Sequence, residues 1–260
     1  MPSVELLRSR LATVARELEA SGDGLGLLAL GSAGVEDSRL DEWSDLDFFL
    51  VVRPGSKPRY LADPLWLGRA SPLAWSFRNT ADGFKLLFAD GVFAEMAWFE
   101  PAELASARYA PGRWLWRSPE LDEKLSVPRC PAPSPAPPSV QWSLGELLSC
   151  LYAGLCRWNR GERLSGWRFV QCHCLDRFLE LADSALPERE AAGADPFSRD
   201  RRWERRHPGS PGVLARFIRG IDETPAAALE LLAWCEAGYE VNAVLAREIR
   251  RLAGGASAKA

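Results

Sequence analysis

The chain has 260 residues, of which 47% are hydrophobic and 26% charged, and its formal net charge is -3. These values are typical of a globular protein with one large or two medium domains. They give no general attraction to nucleic acid or anionic membrane, and no apolar run approaches the roughly 18 residues of a membrane-spanning helix.

The first segment reads as an amphipathic helix. Between Val4 and Ala20, apolar residues recur at helical spacing and form one stripe, and the segment ends at Ser21-Gly22-Asp23-Gly24. The N-terminus lacks the apolar core of a signal peptide, so we expect a cytoplasmic protein. Six cysteines in a chain of this length are expected to be reduced thiols.

Two short apolar runs flank the most informative part of the chain. The first, Gly26–Leu30, ends at Gly31-Ser32. Eleven residues separate it from Ser44-Asp45-Leu46-Asp47, which leads into the second run, Leu46–Val52. Apolar runs of this length, bounded by turn residues, predict buried strands.

The spacing of the two aspartates indicates a specific chemistry. Asp45 and Asp47 are two residues apart at the start of a strand, so their side chains leave the same face. Neighbouring carboxylates repel unless a cation lies between them, and hard oxygen ligands suit magnesium. Gly31 and Ser32 offer a backbone that can approach a phosphate closely, together with a hydroxyl. A solvated turn is the simpler alternative for either motif alone.

A β-hairpin is predicted further along the chain. Phe84–Phe88 and Val92–Phe99 read as strands joined by the turn Ala89-Asp90-Gly91. Both faces of the second strand are largely apolar, and Glu95 is its lone acid. A carboxylate in such a strand is unfavourable unless it is paired, bound to a metal or, on an edge strand, in water. A short helix near Tyr60–Leu67, interrupted by Pro64, and a strand at Leu73–Phe77 are also predicted.

A short helix is predicted to begin at Pro101, and Arg113–Arg117 reads as a strand or an exposed aromatic ridge.

The second half of the chain is expected to be helical. The Pro-rich segment 127–139 predicts a linker between a domain at 1–126 and a helical domain at 140–260. In the latter, apolar stripes indicate a helical bundle.

Three local features of that half have competing interpretations. Arg157–Arg163 lies between two predicted helices and would either face a triphosphate or form a plain charged turn. The basic segment Ser198–His207 is interpreted as a solvated helix face with internal Arg–Glu pairs. The spacing of Cys172-His173-Cys174 is too tight for zinc ligands, which favours small buried thiols on a helix.

The Gly31-Ser32 motif, the spacer and the Asp45-Leu46-Asp47 motif resemble the nucleotidyltransferase signature of the DNA polymerase beta superfamily. With Glu95 and the helical second half, the layout is similar to the antibiotic nucleotidyltransferases, and in particular to the larger lincosamide enzymes. Two residues depart from that pattern. Leu30 stands where an aromatic residue commonly precedes Gly-Ser, and Asp47 replaces a glutamate.

The resemblance implies an α+β fold, with an N-terminal polymerase-beta-like domain of mixed sheet and flanking helices, followed by a C-terminal helical bundle. It implies nucleotide binding by Gly31, Ser32, Ser44, Asp45 and Asp47, and two Mg²⁺ ions on Asp45, Asp47 and Glu95. Glu95 would either complete the second metal site or act as the general base. Asp90 and Glu100 remain alternatives for this third acid.

The reaction implied is transfer of a nucleoside monophosphate from a nucleoside triphosphate, ATP by preference, to a hydroxyl of a small molecule such as a lincosamide or aminoglycoside. Pyrophosphate would be released. A protein or RNA acceptor, or a nucleotide-binding module without catalysis, are the alternatives, and RNA is disfavoured by the lack of a broad basic face. No membrane partner is expected, and homodimerisation, which is common among such proteins, stays open.

Overall fold

The computed structural model of the chain describes residues 2–35, 39–130, 138–185, 195 and 197–255. The chain divides into two compact units, Met1–Ala132 and Pro133–Ala260. This boundary falls within the segment 127–139 for which a linker was predicted, although residues 131–137 of that segment lie outside the described residues. Among the described helices, none is both long and apolar enough to cross a bilayer.

Unit 1 is built on a six-stranded mixed sheet. Its strands are β1 (Gly24–Ala29), β2 (Leu46–Val52), β3 (Leu73–Arg78), β4 (Gly83–Phe88), β5 (Phe93–Phe99) and β6 (Arg113–Arg117). Their order across the sheet is β3-β4-β5-β2-β1-β6. Strands β2 and β5 pair in parallel, and the other neighbours pair antiparallel.

Among its described residues, this unit has the helices α1 (Val4–Ala20), α2 (Lys57–Ala62) and α3 (Pro101–Ser106). Ser3 is the N-cap of α1, because its hydroxyl accepts a hydrogen bond from the backbone N–H of Leu6 at 3.1 Å. Short 3₁₀ turns cover Gly31–Ala33, Pro64–Arg69 and Glu123–Ser126.

The strand residues divide the sheet into two faces. On what we call the first face, Leu46, Phe48 and Leu50 of β2 join the core formed with the apolar stripe of α1. Trp98 of β5 belongs to the same core and stacks on Tyr60 of α2, with ring centroids 4.3 Å apart. This face is therefore closed by helices.

The second face is covered over only part of its length. Val51 and the half-buried Phe49 and Phe99 pack against a small cluster that includes Leu104 of α3 and Tyr109. Because side chains alternate along a strand, Asp47 and Glu95 lie on this second face, two and four residues before the covered aromatic residues. The candidate site therefore lies on the second face, beyond its apolar cluster.

Unit 2 is helical. Its helices are α4 (Val140–Asn159), α5 (Arg163–Arg168), α6 (Cys174–Ala185), α7 (Trp203–Arg206), α8 (Ser210–Phe217), α9 (Thr224–Gly238) and α10 (Ala243–Gly255). The core combines stripes from α4, α6, α9 and α10, with Leu151, Phe178, Leu231 and Ile249 buried. Cys174 is buried in this core, as expected for a small thiol on a helix.

A π-helical turn, Phe169–His173, joins α5 to α6. It places the amide of Gln171 in the interior, where Oε1 accepts from the N–H of Arg219 at 2.7 Å and Nε2 donates to Thr224 Oγ1 at 3.3 Å. Buried polar groups need such partners, so this turn fixes the start of α9 against α6.

The predicted elements of unit 1 are confirmed with small shifts of their ends. The first helix has the predicted bounds, β1 begins two residues before the predicted strand, and β5 begins at Phe93 instead of Val92. Arg113–Arg117 forms a strand, at the edge beside β1. The α+β class, with a mixed sheet followed by a helical region, is confirmed.

Candidate functional site

Strand β2 determines where the two aspartates point. Leu46 and Phe48 alternate with Asp47 and are fully buried on the first face. Asp47 therefore points to the second face, whereas Asp45 directly precedes the strand and is exposed. The hydrophobic pattern of β2 fixes the face of Asp47, and the placement of Asp45 on the same face stays a prediction.

Glu95 lies beside Asp47 on the neighbouring parallel strand. The two residues are direct partners in the β2–β5 register, so their Cα atoms are about 4.8 Å apart and their side chains share a face. Glu95 Oε1 accepts a hydrogen bond from Asn79 Nδ2 at 2.8 Å, and Oε2 lies 3.2 Å from Lys85 Nζ. These two contacts orient the Glu95 carboxylate beside Asp47.

The Gly31-Ser32 turn lies so close to Asp47 that a side chain at position 31 would collide with the carboxylate. Gly31 has φ +57°, and a Cβ at this position would lie 2.5 Å from Asp47 Oδ2. The backbone N–H of Leu30 also donates to the Asp47 carbonyl at 2.8 Å. Because only glycine tolerates both the contact and the positive φ, the sequence brings this turn and the carboxylate together.

Two arginines hold the turn on its carbonyl side. Arg39 Nη2 donates to the Gly31 carbonyl at 3.0 Å, and Arg113 donates to the carbonyls of Ala33 and Gly34 at 3.2 Å each. With its carbonyls used in this way, the turn has a fixed orientation. The arginines were not expected to have this role, and β6 supplies one of them.

The hydroxyl of Ser44, a predicted nucleotide ligand, forms part of the turn before Asp45. It donates to Asp41 Oδ1 at 2.9 Å and accepts from the Asp41 N–H at 3.0 Å. The backbone N–H of Ser44 donates to the Asp41 carbonyl at 3.1 Å. Ser44 thus positions Asp45 in this structure, and nucleotide binding by Ser44 stays a prediction.

The alternative third acids have other roles. Asp90 forms an ion pair with Arg10 of α1, the helix that covers the first face. Glu100 lies at the start of α3, where Oε1 accepts from the N–H of Gly55 at 2.7 Å. Neither residue is the β5 partner of Asp47, so the register selects Glu95 among the three.

The Arg157–Arg163 junction is a charged turn. Gly161 has φ +87°, and α5 begins at Arg163. Arg157 donates to Ser165 Oγ at 2.7 Å and its guanidinium lies over the Phe169 ring, while Arg163 lies over the Trp158 ring. These contacts account for both arginines within unit 2 and favour the structural interpretation.

The fit of this site to magnesium depends on how many carboxylates the metal needs. Among the described residues, no group of three or more His, Cys, Asp or Glu side chains is arranged to hold a metal ion. Magnesium, however, is usually bound by one or two carboxylates together with water and substrate phosphates. Asp45 and Asp47, next to a turn that a Cβ would block, provide that kind of donor set.

A cavity of about 450 Å³ lies elsewhere in unit 1. It is lined by residues of α1 and β6 and by Ala33 and Leu40, with Leu11 and Trp116 among its apolar walls. None of the three acids borders this cavity, which adjoins the candidate site only through Ala33 and Arg113 at the Gly31-Ser32 turn.

Sequence reasoning missed Lys85 and Asn79 as partners of Glu95. The signal for Lys85 was present, because a hairpin centred on Asp90 pairs residues equally distant from it, and Lys85 and Glu95 are each five residues away. Asn79 follows β3, and its contact depends on the pairing of β3 with β4, which the sequence does not specify.

Comparisons with known proteins add little beyond this geometry. No family model matches the chain, and no curated protein matches it significantly. Among solved structures, the chain is similar to an aminoglycoside 6-adenyltransferase from Bacillus subtilis, with a TM-score of 0.34 and 11% identity over 99% of this chain and 92% of that one. A nucleotidyltransferase-like protein from Exiguobacterium sibiricum 255-15 matches with a TM-score of 0.30 and 13% identity over 87% and 73% of the two chains.

Both proteins are named for the class that the sequence motif resembles. TM-scores below 0.5 at such identities do not establish a shared fold or activity. The functional assignment of this chain therefore depends on the arrangement of its own residues.

Proposed function

We propose that this protein is a nucleotidyltransferase that moves a nucleoside monophosphate from a magnesium-bound nucleoside triphosphate to a hydroxyl of a small molecule, with release of pyrophosphate. The observation that carries the proposal is the meeting of two motifs at one carboxylate. Asp47 contacts the backbone of the Gly31-Ser32 turn on one side and is the strand partner of Glu95 on the other.

The Gly31-Ser32 turn would bind the phosphates. Gly31 has no side chain to keep a phosphate away from the backbone, and Ser32 adds a hydroxyl. Arg39 and Arg113 fix the turn from its carbonyl side, which keeps its position constant while substrate binds. Asp45 and Asp47 would hold magnesium against those phosphates. Bound there, magnesium would offset the phosphate charge and lower the pKa of the acceptor hydroxyl.

Glu95 would accept the proton of the acceptor hydroxyl. In the transfer step, a bond forms between the hydroxyl oxygen and the α-phosphorus while the bond from that phosphorus to the bridging oxygen breaks, and pyrophosphate leaves. The proton passes to a Glu95 oxygen, which Asn79 and Lys85 hold in place. Glu95 would therefore be the general base, beside a metal site formed by the two aspartates.

A small-molecule acceptor is favoured over a nucleic acid by charge. The net charge of -3 gives no general attraction to nucleic acid, and the site is itself formed by acidic side chains, with Asp47 and Glu95 as strand partners. The sequence resemblance to antibiotic nucleotidyltransferases makes lincosamides and aminoglycosides the first acceptors to test. ATP is the first nucleotide to test, together with GTP, CTP and UTP.

The test is pyrophosphate release with each of the four nucleotides, magnesium and the acceptor panel, with Asp45→Asn/Asp47→Asn as the blank. Release that requires one acceptor and disappears in the double variant would support the proposal and identify the acceptor. Label from the nucleotide that appears on the protein or on RNA would identify a different acceptor class. Absence of nucleotide binding would contradict the assignment of residues 31–47.

A further inference from the structure

Three aromatic side chains lie together on the second face of the unit 1 sheet. Trp75 and Phe77 of β3 are stacked with ring centroids 6.0 Å apart and planes at 24°, and Trp75 and Phe93 of β5 are 6.5 Å apart at 22°. Their exposed fractions are 47%, 54% and 37%, which is unusual for large apolar residues. We call these three residues the aromatic platform.

The strand register places the aromatic platform in the row of the acids and in the row next to it. Phe77 pairs with Lys85, Lys85 with Glu95, and Glu95 with Asp47, so one row of the sheet runs from an exposed ring to the carboxylates. In the next row, Trp75 and Phe93 both pair with Leu87 of β4. The platform is therefore continuous with the candidate site and on the same face.

The acids separate the aromatic platform from the Gly31-Ser32 turn. Across the sheet the order is β3, β4, β5, β2, β1, and Gly31 follows β1 and contacts Asp47 from that side. In phosphoryl transfer the attacking and leaving oxygens are roughly in line on opposite sides of the phosphorus. If the turn binds the phosphates that leave as pyrophosphate, the acceptor enters from the Glu95 side, which is the side of the platform.

The exposed area fits a small ligand better than a second protein. A tryptophan and two phenylalanines that are each about half exposed present on the order of 300 Å² together. A stable protein interface needs about 800 Å² on each partner. Phe77 and Phe93 each lie within 25° of parallel to Trp75, so the three rings form an ordered apolar patch of a size that suits a planar or sugar ring.

We propose that Trp75, Phe77 and Phe93 form the acceptor subsite, which selects a hydroxyl-bearing compound with a ring whose apolar face stacks on the platform. This inference rests on the proposed function for the identity of the reaction. Stacking would hold the ring so that its hydroxyl lies at Glu95 and the α-phosphorus. The platform residues position the acceptor and take no part in proton transfer.

The test combines kinetics with a direct measurement of binding. Trp75→Ala and Trp75→Ala/Phe77→Ala are compared with wild type and with Trp142→Ala, a control in which a tryptophan of similar exposure is removed from unit 2. Kanamycin, streptomycin and lincomycin serve as ring-bearing probes. In parallel, the ¹⁹F resonance of Trp75 in 5-fluorotryptophan-labelled full-length protein, assigned by its loss in Trp75→Phe, reports binding without turnover.

We expect the KM for the acceptor to rise about tenfold in Trp75→Ala and further in the double variant, with kcat, the KM for nucleotide and the Trp142→Ala control unchanged. The Trp75 resonance should shift with the same probe. Transfer with an unchanged acceptor KM in the double variant would overturn the subsite while the proposed function stands.

Three further outcomes bear on this inference, and the first of them separates it from the proposed function. A Trp75 resonance that shifts with a probe, in a protein that transfers no nucleotide, would support ring binding and remove the proposed function. No shift with any probe and no transfer would overturn the subsite. A dimer in sedimentation experiments that becomes a monomer in the double variant would assign the platform to self-association instead.

Discussion

Replacing Gly31 by alanine tests whether the turn and Asp47 work as one unit. The new Cβ would lie 2.5 Å from Asp47 Oδ2, far inside van der Waals contact, so the carboxylate has to move by about 1 Å. The φ of +57° adds a left-handed conformation, which costs an L-residue about 1–2 kcal/mol. We expect a loss of about that size in the free energy of unfolding, together with a loss of transfer of at least 10²-fold.

Gly55→Ala is the matched control. Gly55 has φ +83°, and a Cβ there would meet no atom within 4 Å. Both variants should therefore show similar shifts in urea unfolding midpoint, and only Gly31→Ala should lose transfer in a pyrophosphate-release assay. Wild-type transfer by a folded Gly31→Ala protein would refute the proposed coupling of the turn to Asp47.

Three other substitutions or reactions have defined outcomes. Glu95→Gln should lower kcat by about 10²–10⁴-fold because Glu95 supplies the base, and a kcat near wild type would exclude that role. The circular dichroism spectrum should not change, since the side chain is partly exposed. Trp98→Ala should lower the free energy of unfolding by about 3–5 kcal/mol, since Trp98 is buried, whereas Trp75→Ala should change it little; equal effects in urea unfolding would contradict the assigned core. The hydrogen bond with Cys174 lowers the pKa of Cys150 to about 7, and burial raises the pKa of Cys235 to about 12. Because the thiolate is the reactive form, alkylation of Cys150 by iodoacetamide, followed by mass spectrometry, should rise as pH increases through about 7, and Cys235 should stay unmodified; a rise only above pH 8 would contradict the lowered pKa.

Local pattern was sufficient to predict much of unit 1. The bounds of α1 follow from the spacing of Leu7, Leu11, Val14 and Leu18, and the strand at β2 follows from an apolar run after a turn. These signals are local, since each depends on residues within one element. The same alternation correctly predicted that Asp47 lies on the opposite face from Leu46 and Phe48.

Pairing between strands was harder to predict from the sequence. The sequence placed Glu95 beside the aspartates only through a family resemblance, whereas the structure specifies the parallel register of Asp47 and Glu95. The aromatic platform likewise depends on β3 pairing with β4 and was not predicted. The contacts of Glu95 with Asn79 and Asp47 join residues 16 and 48 positions apart, and no local period encodes them.

Charged segments were the hardest to interpret. Ser198–His207 was expected to be a solvated helix face with Arg–Glu pairs. Instead, Arg206 is buried and pairs with Asp183 at 3.0 Å, and Arg201 pairs with Asp195 at 3.0 Å. Charge alone did not indicate these partners, because each depends on how the helices of unit 2 pack.

The most direct test of the central claim is transfer of α-³²P label from ATP to a small product, with magnesium, by wild type, Asp45→Asn and Glu42→Gln. Glu42 is an exposed acid of the same loop, three residues before Asp45, and serves as the matched control. We predict a labelled product with wild type and Glu42→Gln and none with a folded Asp45→Asn protein. Equal labelling by all three proteins would contradict the assignment of Asp45 to the reaction.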